Sequence, residues 1–188
     1  MPADSIRVIL QVTDLLERLH VAYAVEGVLG STDYGIARSS LDAAIIADMR
    51  PEHIESFMSA LSVDFYVDHH MIEAAIERRG SFTLVHYASK FNVDVFIPKL
   101  RPFDQMQLKR RKASVVSTNP DHQISVTSPE DALLSKLERY RAGGDNSEHA
   151  WKEALGVRKA VELDMDYLRH WAKELKMEDL LERALTEA

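Results

Sequence analysis

Two acids define the chemistry open to this chain. Asp42 lies in Leu41-Asp42-Ala43-Ala44-Ile45-Ile46, and Asp94 lies inside the apolar run Phe91-Asn92-Val93-Asp94-Val95-Phe96. Both segments read as strands, in which side chains two residues apart point to the same face. Asp42 and position 44 would therefore project together, and an acid on an adjacent strand such as Asp94 would complete a carboxylate cage. Such a cage holds two divalent ions roughly 4 Å apart, one to activate an attacking hydroxyl and one to hold a triphosphate, which is what nucleotidyl transfer requires. An unpaired carboxylate in an apolar strand is costly, and a bound cation removes that cost. Position 44, however, is alanine, so the cage is short of one ligand. The structural alternatives are an exposed strand-end acid for Asp94 and a turn cap for Asp42.

The elements that would position these acids follow from periodicity. Ile6, Ile9, Leu10, Val12, Thr13, Leu16 and Leu19 recur at helical spacing and predict a helix over 6–19, followed by a short buried strand over 21–25. Gly27, Gly30 and Gly35 then punctuate a tight turn and a brief helix before a strand at 41–47. Pro51 begins another helix, since its missing N–H costs nothing in a first turn. A strand at 63–67, a helix at 70–79 and strands at 81–87 and 92–97 joined through Ser89-Lys90 complete a mixed α/β pattern. Residues 98–119 read as a connection containing a short helix and a strand at 113–117.

After Ser128 the pattern becomes helical. Ser128-Pro129-Glu130-Asp131 combines a capping serine, a proline at the first helical position and an acid at the third, all of which favour a helix start. That helix should run over 129–142 and close at Gly143-Gly144, with two or three more over 147–162, 165–175 and 177–187. The expected organisation is an α/β domain over 1–118 and a helical domain over 119–188.

The bulk composition restricts the partners. With 188 residues, 46% of them hydrophobic and 28% charged, the chain can bury a substantial core. No run is long enough to cross a bilayer, and the amino terminus, with Asp4 and Arg7, is unlike a secretory leader. Zero cysteines rule out disulfides and thiolate metal sites, and a cytoplasmic location is expected. A net charge of −7 argues against a general nucleic-acid coat. Lys109-Arg110-Arg111-Lys112 is the one basic cluster suited to an RNA or another anion, or else a solvated surface.

Several segments together carry a family resemblance. Tyr23-Ala24-Val25-Glu26-Gly27, Gly35-Ile36-Ala37-Arg38-Ser39-Ser40-Leu41-Asp42, Val93-Asp94-Val95-Phe96, Ser128-Pro129-Glu130-Asp131, Lys136-Leu137 and Tyr140-Arg141-Ala142-Gly143-Gly144 resemble a bacterial family of nucleotidyltransferase-like proteins. That family is distantly similar to the toxins of abortive-infection toxin–antitoxin systems. The likeness extends over nearly the whole chain, through Trp151, Leu155-Gly156-Val157, Leu168 and Trp171. It implies a minimal nucleotidyltransferase fold, a mixed sheet flanked by helices, with a carboxyl-terminal helical bundle. It further implies that Gly27 and Ser31 hold nucleotide phosphates, that Asp42 and Asp94 bind magnesium, and that Arg38, Lys136 and Arg141 line the nucleotide cleft. The chain departs from the pattern at Glu26 and Val28 in the phosphate turn, and at Ala44.

These departures set the functional expectation: a nucleotidyltransferase-fold protein with a vestigial site for magnesium and a nucleoside triphosphate, catalytically impaired or inactive. One alternative is an active enzyme moving a nucleoside monophosphate to a hydroxyl of protein or RNA, with Glu26 replacing the lost ligand or with a single metal ion. Glu26 would then gain a metal while repelling the triphosphate at a turn where glycine is normally wanted. The other alternative is a non-catalytic module that binds a protein partner, within a toxin–antitoxin pair or outside one. Asp48 has the right parity to replace Ala44 but lies about 13 Å further along an extended strand. His69 and Glu73 have helical metal spacing without a third ligand and read as a solvated helix start. His86 reads as a strand histidine satisfied by a neighbour, and Trp151, Tyr167 and Trp171 as core packing.

Overall fold

The structure is a computed structural model that describes residues 3–26, 42–116, 121–144, 148–160 and 162–187. The described residues fall into two compact units, the first ending at Val126 and the second beginning at Thr127.

The first unit is built from helices α1 (Ala3–Arg18), α2 (Ile54–Leu61), α3 (His69–Arg78) and α4 (Pro102–Arg110) around seven strands. In chain order the strands are β1 (Tyr23–Glu26), β2 (Asp42–Ala47), β3 (Phe65–Tyr66), β4 (Ser81–His86), β5 (Asn92–Phe96), β6 (Lys112–Val116) and β7 (His122–Val126). They form one mixed sheet in the order β3-β4-β5-β2-β1-β7-β6. β2 runs antiparallel to β1 and parallel to β5, and β1 joins β7 in parallel through Val25 and Val126.

One face of the sheet is apolar. Val25, Ala43, Ile45, Phe82, Leu84, Val93 and Val95 are buried in one cluster with Ile9 and Leu16 of α1, Phe57 of α2 and Ile72 of α3. The alternate residues of the same strands face the other way, which is the direct consequence of strand parity. The helices end as their sequences require. Asp68 accepts the Met71 amide at 2.9 Å to start α3, and Arg79, with φ of 51°, closes it. Lys90, with φ of 57°, turns the chain between β4 and β5.

Three local departures from the expected pattern have physical reasons. Pro51 begins a single 3-10 turn, Pro51–His53, before α2. Only Phe65 and Tyr66 of the expected strand at 63–67 pair with β4, while Val63 is 81% exposed. β7 lacks a strand signal of its own, because His122-Gln123-Ile124-Ser125-Val126 has only two apolar residues, yet its partners β1 and β6 are enough to hold it in the sheet. The sheet therefore continues past residue 118 to Val126.

The second unit contains α5 (Pro129–Ala142), α6 (Glu148–Ala160), α7 (Met165–Glu174) and α8 (Glu178–Glu187). Ser128 caps α5 by accepting the Asp131 amide at 3.2 Å, with Pro129 at the first position, and Gly144 takes the left-handed conformation beyond its end at φ of 75°. α5 is the central helix: Glu130 through Leu137 are all buried, and α6, α7 and α8 pack on it. Trp151 and Trp171 are core residues, as their helical context predicts.

Candidate functional site

The sheet register determines which acids can act together. Glu26 at the end of β1 lies opposite Ala44 of β2, Ala44 lies opposite Asp94 of β5, and Asp94 lies opposite Thr83 of β4. Residues directly opposite each other point to the same face, so these four side chains form a row across the sheet on the side away from the apolar core. Asp42, two residues before Ala44 and opposite Asn92, projects to that face as well. With strands about 4.8 Å apart, the Glu26 and Asp94 backbones are about 10 Å apart. Position 44 between them carries only a methyl group.

The three acids have different environments. Glu26 is 7% exposed, Asp94 is half-buried and Asp42 is exposed. Thr83 donates its hydroxyl to Asp94 Oδ1 at 2.5 Å, which fixes the orientation of that carboxylate. Thr83 is the candidate site residue that sequence reading passed over; its signal was a hydroxyl on the parity opposite the apolar core, in a strand adjacent to the acid. Among the described residues, the one group of three potential ligands with all ligand atoms within 4.8 Å of one another is His69, His70 and Glu73. The acids at 26, 42 and 94 thus share a face without converging on one point. Their donors are all hard carboxylate oxygens, the class that magnesium prefers, and magnesium commonly takes one or two carboxylates and completes its shell with water and phosphate oxygens. The residues present fit that ion in donor type and in the face they share.

The other expected residues are distributed as follows. Gly27, Ser31 and Arg38 lie outside the described residues. Lys136 is buried in the second unit, where its Nζ donates to Glu153 Oε2 at 3.0 Å. Arg141 is held by Asp179 at 2.5 Å and by the Lys176 carbonyl at 3.5 Å. Asp48 lies past the end of β2 and pairs with Arg50 and Arg79, each at 3.7 Å, so it has no part in the carboxylate face. His86 bonds to Ser89 Oγ at 2.8 Å within the β4–β5 turn. Tyr167 donates to Asp131 Oδ1 at 2.6 Å, a structural task. Lys109 to Lys112 span the end of α4 and the start of β6, where Arg111 donates to the Leu108 carbonyl. A cavity of about 720 Å³ opens at the α1 side of the first unit, beside Asp14, Asp64 and His122 and away from the carboxylate row.

No protein-family model matches the sequence, and no curated protein matches it. The solved structures are more informative. An antigenic nucleotidyltransferase-like protein from Paracoccidioides brasiliensis superposes with a TM-score of 0.52 over 98% of this chain and 93% of its own, at 15% identity. This chain has a nucleotidyltransferase-like fold. The lincosamide antibiotic adenylyltransferase LnuA, solved with lincomycin bound, matches over 86% of this chain and 99% of its own, with a TM-score of 0.49 and 17% identity. At 15% identity, the likeness to the Paracoccidioides brasiliensis protein is one of fold. Among the described residues, no helix of the nucleotidyltransferase-like chain is long and apolar enough to cross a membrane.

Proposed function

We propose that this protein binds a nucleoside triphosphate together with magnesium at the β1–β2–β5 face, and that its nucleotidyl transfer is strongly impaired. The observation that carries the reading is the row Glu26, Ala44, Asp94: a small apolar side chain stands in register between two acids, where a further carboxylate would project. Asp42 and Asp94 are the residues that would hold the ion. Magnesium, when bound, would offset the charge of the triphosphate and of its leaving group. Thr83 holds Asp94 in place for that task. Without a carboxylate at 44, less negative charge is concentrated around the ion, and both metal affinity and charge stabilisation at the reacting phosphate fall. Glu26 offsets part of that loss but brings its charge to the end of β1, beside the residues that would hold phosphate. The resemblance assigns that phosphate task to Gly27 and Ser31, and assigns nucleotide contacts to Arg38, Lys136 and Arg141.

The test is calorimetric titration with ATP and with GTP, each with and without magnesium, followed by transfer assays with labelled nucleotide. Binding should require magnesium, and the substitution Ala44→Asp should tighten it and raise transfer at least tenfold over the natural chain. Absence of nucleotide binding under both conditions would overturn the reading and leave the protein-binding alternative. Transfer by the natural chain that equals Ala44→Asp and vanishes in Glu26→Ala would instead show a fully working site with a displaced ligand.

A further inference from the structure

The second polar cluster of the first unit lies on the helical layer, at the start of α3. His69 Nδ1 is 3.9 Å and His70 Nδ1 is 3.8 Å from the same oxygen, Glu73 Oε2, and the three residues each offer a ligand atom within 4.8 Å of the other two. A tetrahedral zinc ion with bonds of about 2.0–2.1 Å separates its ligand atoms by roughly 3.3–3.4 Å, so each imidazole would move about half an ångström toward Glu73 and the two imidazoles up to about 1.5 Å toward each other to close the set. All three side chains are exposed or half-exposed and free to make such shifts.

The fourth residue is Glu55 of α2. Its Oε1 lies 3.3 Å from His69 Nε2, the ring nitrogen on the other side from Glu73. A ligating histidine commonly gives its second N–H to a carboxylate, which fixes the tautomer and makes the ligating nitrogen more basic. Glu55 is placed to do this for His69, with Nδ1 left as the donor. His69 with Glu73 alone, one helical turn apart, is an ordinary surface pair. The addition of His70 and of an orienting carboxylate from another helix is what makes it a ligand set.

The geometry points to a site for a zinc-class divalent ion on His69, His70 and Glu73, with at least one coordination position open to water and Glu55 as a positioning residue. Two imidazoles and one carboxylate select zinc, cobalt or nickel over magnesium. The site is separate from the carboxylate row, because α2 and α3 pack Phe57 and Ile72 against the opposite, apolar face of the sheet. Since Glu55 belongs to α2 and the ligands to α3, an ion bound here ties the two helices together and should raise the thermal midpoint of the first unit.

The experiment is competition of the purified protein against a chromophoric chelator for zinc, with cobalt absorption as a reporter of coordination. One zinc should bind with a dissociation constant in the micromolar range or below. The double substitution His69→Ala with His70→Ala should weaken it at least tenfold and abolish the zinc-dependent rise in melting temperature, whereas His170→Ala should leave both unchanged. Glu55→Gln should keep one equivalent of metal but weaken it about tenfold and alter the cobalt spectrum. Failure of the natural protein to compete, or an unchanged affinity in the folded double variant, would overturn the site. Natural affinity and cobalt spectrum in Glu55→Gln would overturn the positioning role.

Discussion

Asp131 of α5 and Asp94 of β5 are both oriented by hydroxyls, but they differ in burial and in the face to which they are turned. Asp131 is fully buried and uses both oxygens within its own unit: Ser128 donates to Oδ2 at 2.9 Å and Tyr167 to Oδ1 at 2.6 Å. Asp94 is only half-buried, is held on Oδ1 by Thr83, and projects from the sheet on the face away from the core. The same chemical device closes a helix start in one place and aims a carboxylate outward in the other. The lesson is that hydrogen bonds to an acid do not by themselves mark it as structural; the face to which it is turned decides.

The largest expected effect is on Asp131. Asp131→Ala would remove the acceptor of the buried Ser128 hydroxyl and of the partly buried Tyr167 hydroxyl and should cost about 3 kcal/mol of stability. Denaturant unfolding followed by circular dichroism measures it, and in a chain of this size the melting temperature should fall by roughly 6–12 °C. A loss below about 1 kcal/mol would erase the distinction between the two acids.

Asp94→Asn should behave in the opposite way. The amide oxygen can still accept from Thr83, so stability should change by less than about 1 kcal/mol, while magnesium-dependent nucleotide binding should weaken at least tenfold, or about 1.4 kcal/mol. Calorimetry and a melting curve on the same sample test both halves. A variant that loses stability like Asp131→Ala while binding nucleotide normally would place Asp94 among the structural acids.

Much of this architecture was legible in the residues. Helices α5 to α8 and strands β1, β2, β4 and β5 announce themselves because each has a clear period and a strong boundary, such as Ser128-Pro129 before α5. β7 was not legible, because with Ile124 and Val126 as its only apolar residues its place depends on β1 and β6, which are distant in sequence. For the site, strand parity was enough to put Asp42 and position 44 on one face. The register that sets Glu26 beside Ala44 and Ala44 beside Asp94 is a tertiary fact, and so is the approach of Glu55 to His69 from another helix. Local spacing reports which side chains share an element, and it is silent on which elements become neighbours.

The smallest effect sharpens the same comparison at a third polar group. Tyr23 of β1 is 3% exposed, donates to Glu17 Oε1 at 2.7 Å and accepts from the Ser125 amide at 3.4 Å. Burial above all, and then the Glu17 carboxylate, hold its hydroxyl well above the ordinary tyrosine range. Tyr23→Phe should cost about 1 kcal/mol at neutral pH through the lost hydrogen bonds. The sign of the pH dependence follows from the raised folded value: the unfolded tyrosine ionises near pH 10, the folded one later, so the contribution of Tyr23 is complete below about pH 10 and is lost as pH rises further. Urea unfolding of both chains at pH 8 and near pH 11 should therefore show a gap that narrows at the higher value, because phenylalanine has no proton to lose. A gap that stays constant would mean that Tyr23 ionises alike in both states, and that its buried hydroxyl, unlike the carboxylate of Asp131, is not committed to the fold.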